Sequence, residues 1–259
     1  MSVQSHQSDP RVLDRRTLRH DHRALPPLLR RGMSVLDVGC GSGAITAGIA
    51  EAVGPEGRVV GVDRDESLLA IAAARCAGLP NLTFERQDAL SLSVAGAFEI
   101  VTAARALQWM SDPAAVLRRM KSAARPGGQI VVLDYNHDRN TWAPDPPPEF
   151  ALFYQAFLAW RSANGWDNAI ADHLPDLFVT AGIADPRTVP TDEVAERGAP
   201  DFNETSALWA HVIATIGPRI VAAGHLSEAE RIAAVEAYDA YIATRLERQT
   251  LSMGTVIGG

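Results

Sequence analysis

The chain has 259 residues, 47% of them hydrophobic and 21% charged, the balance of a globular protein with a core to bury rather than a disordered or fibrous chain. Its net charge of −7, from 24 Lys and Arg against 31 Asp and Glu, argues against a nucleic-acid partner, because neutralising phosphates needs a basic face. Two cysteines, Cys40 and Cys76, make no disulfide framework and point to a reducing cytoplasm. No apolar run reaches the ~20 residues of a membrane span, and the polar first ten residues lack a signal-peptide core.

Residues 1–31 read as an N-terminal helical or lid segment, whose Arg11, Arg15, Arg16, Arg19, Arg23, Arg30 and Arg31 fit a solvated face. From 32 to 259 the pattern is one α/β domain: short apolar runs alternate with helical stretches, the mark of a parallel sheet covered on both faces. Strands are expected at 34–38, 58–62, 82–86, 98–103 and 129–135, with helices at 43–53 and 66–78. Asp65 is placed to cap the second helix. Asp112-Pro113 opens a further helix, with proline at its first position, and Arg125-Pro126-Gly127-Gly128 ends it in a turn.

After residue 136 the rhythm breaks. Asn140 to Pro148 reads as a proline-rich loop, followed by a helix carrying Phe150, Phe153, Tyr154, Phe157 and Trp160 and a turn at 164–167. A helix near 172–182 and a strand near 184–192 resume the alternation. Two more helices follow: one has Leu208, Trp209, Val212, Ile213 and Ile216 on one face, the other opens with the capping box Ser227/Glu230. A last strand is expected over 249–257. The fold class is a Rossmann-like, doubly wound α/β fold with a mostly parallel seven-stranded sheet. Helical cap insertions are expected after strands five and six, at about 140–168 and 200–247. Their aromatic stripes read both as ordinary core and as a cap over the sheet edge where such folds bind ligands.

The chemistry concentrates in Val35-Leu36-Asp37-Val38-Gly39-Cys40-Gly41-Ser42-Gly43, an apolar strand with an acid near its end and three alternating glycines before a helix. Glycines there permit positive φ and close backbone approach, and the helix that follows turns its N–H groups toward the same crevice. Gly39-x-Gly41-x-x-Ala44 also satisfies the dinucleotide fingerprint. Asp37 weighs against a pyrophosphate there and suits a ligand bearing an ammonium and a sulfonium. Asp63 ends strand two, where ribose hydroxyls are received in both cofactor classes.

Taken in order, this loop, Val62-Asp63, Gln87-Asp88-Ala89 and Arg125-Pro126-Gly127-Gly128 resemble the class I S-adenosylmethionine-dependent methyltransferases, in the small-molecule branch of the ubiquinone- and menaquinone-biosynthesis type. The resemblance is strong over about residues 30–135 and only architectural beyond. It implies S-adenosyl-L-methionine as cofactor, with S-adenosyl-L-homocysteine as product. It implies that Gly39, Cys40 and Gly41 line the methionine part through backbone, with Asp37 supporting the loop and the cofactor's amino group. It further implies Asp63 on the ribose hydroxyls, Arg64 or Leu68 beside the adenine, Asp88 and the Ala89 N–H on the adenine edge, and Arg105 near the methionine. Gln108 and Trp109 fall near the methyl-transfer axis, and Arg16-Thr17 resembles a lid that reaches the cofactor's carboxylate. Structural readings compete: Asp37 as a loop cap, Asp88 as a helix cap, Trp109 as core.

Catalysis is less marked. Methyl transfer draws on orientation and desolvation, and needs a base only where the nucleophile must lose a proton. His137, flanked by Asp134 and Asp138, is the base candidate, against a surface-loop reading; His211 is a second. These acids and His137 lack a defined ligand spacing, so no metal is assigned. Trp109, Trp142, Phe153, Tyr154, Phe157 and Trp209 are the pocket-wall candidates for a small, partly apolar acceptor. The tetrapeptide of amino-methylating nucleic-acid enzymes is absent after strand four, where Ala104-Arg105-Ala106-Leu107 stands. The sequence therefore reads as a methyltransferase with a small-molecule partner, with no nucleic acid and no membrane span, and with a homodimer left open. An NAD(P)-dependent oxidoreductase and a non-catalytic S-adenosylmethionine-binding protein are the alternatives.

Overall fold

The computed structural model describes residues 16–259. The first half of the expected N-terminal segment, with Arg11 and Arg15, lies outside them. The chain divides into two compact units. In chain order the strands are β1 (Ser34–Val38), β2 (Arg58–Asp63), β3 (Leu82–Arg86), β4 (Phe98–Ala104), β5 (Ala124–Tyr135), β6 (Thr141–Ala143), β7 (Arg187–Pro190), β8 (Glu193–Glu196), β9 (Arg248–Leu251) and β10 (Met253–Gly258). The α-helices are α1 (Leu18–Asp21), α2 (Ala44–Val53), α3 (Glu66–Arg75), α4 (Pro113–Ala123), α5 (Pro148–Ala163), α6 (Ile170–Thr180), α7 (Phe202–Ser206), α8 (Leu208–Thr215), α9 (Gly217–Ala222) and α10 (Glu228–Thr244).

The first unit runs to Asp134 and regains the chain at Ile170–Thr191 and Gly254–Gly259. It holds a seven-stranded sheet in the order β3-β2-β1-β4-β5-β10-β7. β1 pairs in parallel with β2 and β4, β2 with β3, and β4 with β5, while β10 and β7 are antiparallel. This is the mostly parallel, doubly wound sheet the alternating pattern predicts. The central strands read as near-continuous apolar runs because helices cover both faces: Leu36, Val38, Val60 and Val101 lie in one core layer, Val35, Val59 and Ile100 in the other. Helix starts follow local chemistry. Asp65 accepts from Ser67 N (2.9 Å) and Leu68 N (3.3 Å), and Asp112 accepts from Ala115 N (2.8 Å) ahead of Pro113. The chain order turns left from β1 to β2 and right to β4, so the topological switch point lies between β1 and β4.

The second unit comprises Tyr135–Ala169 and Asp192–Met253. Helices α5 and α7–α10 belong to it, together with a three-stranded antiparallel sheet β6-β9-β8 that a purely helical insertion does not include. The sheet was hidden because β6 is three residues long inside the proline-rich loop, a placement typical of edge strands. Other boundaries also move. The expected strand 249–257 is two strands in different sheets, broken at Ser252, whose N–H goes to Asn140 Oδ1 (2.8 Å) instead of a ladder partner. The expected strand near 184–192 is β7 alone, with β8 following in the small sheet. The helix containing Leu208 is cut into α7, α8 and α9, the last opened by Pro218, which has no N–H to continue the ladder. β5 begins at Ala124, but its pairing with β4 skips from Ala124 to Gln129, so Arg125-Pro126-Gly127-Gly128 bulges out as the expected turn would.

Two substitutions test this account. Leu36→Ala, in the fully buried central strand, should lower the unfolding free energy by about 2–5 kcal/mol. Asp112→Ala, which removes only a cap, should cost about 1 kcal/mol. Urea denaturation followed by circular dichroism gives both, and equal losses would contradict the assigned core.

Candidate active site

The site grows from the carboxyl ends of β1, β2, β3 and β4, all within the first unit. After β1 the chain turns through Gly39, Gly41 and Gly43, with φ of 75°, 55° and 75°. Gly39 has a second reason to be glycine: a Cβ there would stand 2.7 Å from the Cβ of Ala106, in the segment after β4. The loops on either side of the switch point therefore meet backbone to side chain. Gly43 faces the same limit below the loop, where the Phe84 ring and Ala72 leave no room.

Three amide groups at the head of this turn are already engaged. Gly39 N (2.8 Å) and Cys40 N (3.1 Å) both donate to Val62 O, and Gly41 N donates to Asp63 Oδ2 (2.9 Å). A pyrophosphate cradle needs such N–H groups free to point at the anion. With those donors occupied the loop is a poor phosphate cradle, and its carbonyls are partly engaged too, Cys40 O accepting from Gly43 N (3.0 Å) and Gly41 O from Cys40 Sγ (3.9 Å). Asp63 also accepts from Asp65 N through Oδ1 (3.0 Å), so each oxygen carries one protein hydrogen bond and keeps a lone pair for a ligand. Gln87 N donates to Asp63 O (3.0 Å), which sets Asp88 beside the end of β2. Asp88 Oδ1 caps the next turn by accepting from Leu90 N (2.8 Å). Arg64 is exposed at the start of this edge, Leu68 is buried on α3, and Ala89 is half-buried.

Charge reinforces the argument. Asp37 is 3% exposed and accepts the Thr46 hydroxyl at 2.6 Å. Burial pushes its carboxyl up to about 6; the Thr46 hydrogen bond pulls the other way and the charge of Asp63 adds to the rise. Two mutually repelling carboxylates flank the loop, an arrangement that a cation relieves and an anion worsens. The Cys40 thiol is held protonated by burial and by the same two acids. Ser42, also in the loop, has a buried hydroxyl with no hydrogen-bond partner among the described residues. The acid-flanked loop and this orphan hydroxyl fit S-adenosylmethionine.

Beyond β4 stands Arg105, with a φ of 57° that is uncommon for a side chain of its size. Its N–H donates to Leu133 O (2.7 Å), and its guanidinium donates to Asp21 O (2.8 Å) and lies 3.5 Å from Asp21 Oδ1. The structure thus gives Arg105 an anchor on α1 that the sequence did not reveal. Next to it, His22 Nε2 meets Thr102 Oγ1 at 2.8 Å, and that hydroxyl donates its one proton to Val131 O (2.9 Å). His22 is therefore the donor, and burial with the nearby Arg105 charge holds it neutral, pushed down to about 3. Asp134, fully buried, accepts from Gln108 N (3.0 Å) and fixes the turn that presents Trp109 at partial exposure.

The remaining candidates belong to the second unit. His137 is buried, stacked on Tyr135 at 5.0 Å and edge-on to Phe157 and Trp209 at 5.4 and 6.4 Å. Burial and the Arg161 charge push it well below the ordinary histidine range. Trp142, Phe153, Tyr154, Phe157 and Trp209 all lie in one aromatic cluster with Phe150 and Tyr238, with Tyr154–Trp209 at 4.9 Å and Phe150–Tyr238 at 4.3 Å. His211 lies on α8, half-buried. Neither Thr46 nor Asp21 is singled out by the sequence, and Ser42 only as a member of the loop. Thr46 alone left a trace, a hydroxyl one helical turn past the loop.

The chain belongs to the methyltransferase domain family, whose model matches residues 29–169, more than half of the chain. Among curated proteins it is 33% identical over 169 residues to a demethylmenaquinone methyltransferase of Lactococcus lactis, covering 59% of this chain and 66% of that protein. It is 41% identical over 105 residues to a trans-aconitate 2-methyltransferase of Deinococcus radiodurans, covering 40% of this chain and 39% of the relative. Both matches thus span less than two thirds of those relatives. In fold the chain is similar to the YcgJ protein of Bacillus subtilis, with a TM-score of 0.56 at 18% identity over 93% of this chain and 97% of that one. The family and the sheet together make this a class I S-adenosylmethionine-dependent methyltransferase fold.

The Asp37 environment yields a pH prediction. Its folded pKa lies above the unfolded value, so its stabilising contribution is complete below pH 3.8 and is lost as pH rises through about 6. His22 acts in the opposite sense, costing stability as pH falls below 6.5. Comparison with Asp37→Asn isolates the carboxyl. From pH 4 to 6 the variant should gain on wild type by up to about 1.4 kcal/mol per pH unit in denaturation experiments. Parallel profiles would contradict the burial of a titrating Asp37.

Proposed function

We propose that the protein transfers a methyl group from S-adenosylmethionine to a small, partly apolar acceptor. The observation that carries this reading is the glycine loop with the N–H groups of Gly39, Cys40 and Gly41 occupied and two carboxylates beside it. Bound S-adenosylmethionine supplies an activated methyl on a sulfonium, which passes to a nucleophile on the acceptor and leaves a neutral thioether. On this reading Asp63 accepts both ribose hydroxyls with the lone pairs left by Gly41 and Asp65, and Asp37 with the carbonyls of Gly39, Cys40 and Gly41 holds the ammonium end. Asp88 and the Ala89 N–H take the adenine edge between Arg64 and Leu68. Arg105 holds the wall of the site through Asp21.

The relatives' names, a demethylmenaquinone and a trans-aconitate methyltransferase, favour a small acceptor. For its apolar contacts the first unit offers Trp109, and the second unit, taken by itself, offers Trp142, Phe153, Tyr154, Phe157 and Trp209. Rate then comes chiefly from orientation and exclusion of water. His137 is the base if the nucleophile has a proton to lose, but an imidazole pushed so far down is a weak base at neutral pH. The same reading places the protein in the cytoplasm, with a homodimer compatible and no nucleic-acid partner.

Isothermal titration calorimetry tests this reading. Wild type should bind S-adenosylhomocysteine, Asp63→Ala should weaken binding by roughly 30- to 100-fold, and NADH should give no heat. Absence of binding to wild type, or a signal with NADH alone, would overturn it.

A further inference from the structure

Asp37, near the end of β1, is buried among neighbours that cannot donate to it. Side by side with it in the sheet stand Gly61 on β2 and Thr102 on β4. Gly61 has no side chain, and Cys40 Sγ fills the space beside it, 3.1 Å from where a Cβ would stand. That thiol donates to Gly41 O (3.9 Å). Thr102 gives its one proton to Val131 O (2.9 Å) and accepts from His22 Nε2 (2.8 Å). The hydrogen bond that Asp37 does receive among the described residues comes from α2. Thr46 Oγ1 donates to Asp37 Oδ2 at 2.6 Å, the length of a bond to an ionised acceptor.

Packing alone does not call for a threonine at this position. Thr46 is 0% exposed, and the buried face of α2 is otherwise apolar: Ile45, Ile49, Ala50 and Val53. Valine has the same shape and no polar atom to bury. A threonine inside a helix ordinarily turns its hydroxyl back to the carbonyl four residues earlier, whereas this one crosses to β1. The charges around Asp37 do not help it ionise. Asp63 at the end of β2 repels it, and the Cys40 thiol in the loop is held protonated. On the β4 side Thr102 is backed by His22, held neutral, with Arg105 near it. From α2 Thr46 alone reaches the carboxyl, and the helix's one acid, Glu51, is exposed. Of the influences on Asp37, burial and Asp63 favour the neutral acid, and the Thr46 hydroxyl favours the carboxylate.

We propose that Thr46 is a positioning residue for the methyl-donor site: its hydroxyl keeps Asp37 a carboxylate, occupies Oδ2 and leaves Oδ1 for the cofactor's ammonium. Thr46 acts through Asp37 and touches no ligand itself. A neutral acid attracts an ammonium far less than a carboxylate does, so affinity falls as Asp37 takes up its proton. Loss of the hydroxyl raises the pH at which this happens, by about one unit for a hydrogen bond to a charged group. The proposal deepens the methyltransferase reading and rests on it for the ammonium beside Asp37.

The test is calorimetry of the full chain from about pH 5.5 to about pH 8 with two probes. S-adenosylhomocysteine carries the ammonium; methylthioadenosine keeps the adenine and ribose and lacks it. Wild type should hold its affinity for S-adenosylhomocysteine near the upper limit and lose it as pH falls through about 6. Thr46→Val should match wild type within about twofold near pH 8 and bind about fivefold more weakly near pH 6. Thr46→Ser, which keeps the hydroxyl, should restore the wild-type profile. Methylthioadenosine should bind wild type and both variants alike at every pH, and in an Asp37→Asn background Thr46→Val should shift no profile. If Thr46→Val does not fold by circular dichroism, Thr46→Ala against Thr46→Ser makes the same comparison. A hydroxyl-free variant that keeps the wild-type profile, or that weakens both probes by one factor at every pH, overturns the proposal. So does a wild type whose binding of S-adenosylhomocysteine is level across the range. A wild type that binds neither probe overturns the methyltransferase reading, and the proposal falls with it.

Discussion

The Asp63 carboxylate holds the first unit's functional edge together. One oxygen fixes Gly41 in the loop after β1, the other fixes Asp65 at the start of α3, and the residue's own carbonyl takes the N–H of Gln87 after β3. Three strand ends are thereby set in register by a single residue at the edge where a doubly wound sheet receives ligands. The same contact decides what the loop can bind. By occupying Gly41 N, while Val62 O occupies Gly39 N and Cys40 N, it converts a motif that elsewhere cradles phosphate into one flanked by carboxylates. The close approach of Gly39 to Ala106 completes the constraint, since the loop can adopt this path only without a side chain.

Electrostatics and packing act together at this edge. Asp37 is buried beside the loop and shares its charge environment with Asp63, so part of the cost of burying it is offset by the Thr46 hydroxyl and the rest is open to relief by a cation. Arg105, the other unusual residue, is held at positive φ by its backbone bond to Leu133 and by its grip on Asp21. The second unit works on a different principle: its core is aromatic, built from rings in edge-to-face contact.

Much of the first unit was legible because its signals are local. Alternating apolar runs mark strands, Asp65 and Asp112 mark helix starts, and the glycine loop has a spacing that only a tight turn explains. The pairing partners were not legible: Thr46 for Asp37, Asp21 for Arg105 and Asp134 for Gln108 are contacts that no periodicity encodes. The second unit was harder still. Its small sheet is built from strands of three and four residues, one within a proline-rich loop, and the last strand region splits at Ser252 because Asn140 draws off that residue's N–H. Gln249 reads as an ordinary strand glutamine; its partner Trp142, whose Nε1 donates to its Oε1, stands over a hundred residues earlier in the chain.

Hydrogen exchange of the whole chain with and without S-adenosylhomocysteine is the most direct test of the central claim, that the acid-flanked loop and its neighbouring strand ends hold the cofactor. Peptides covering residues 37–46, 61–68, 85–91 and 103–109 should slow markedly on ligand addition, since they carry the groups assigned to the cofactor. Unchanged exchange across 37–46 and 61–68, with protection elsewhere, would contradict it.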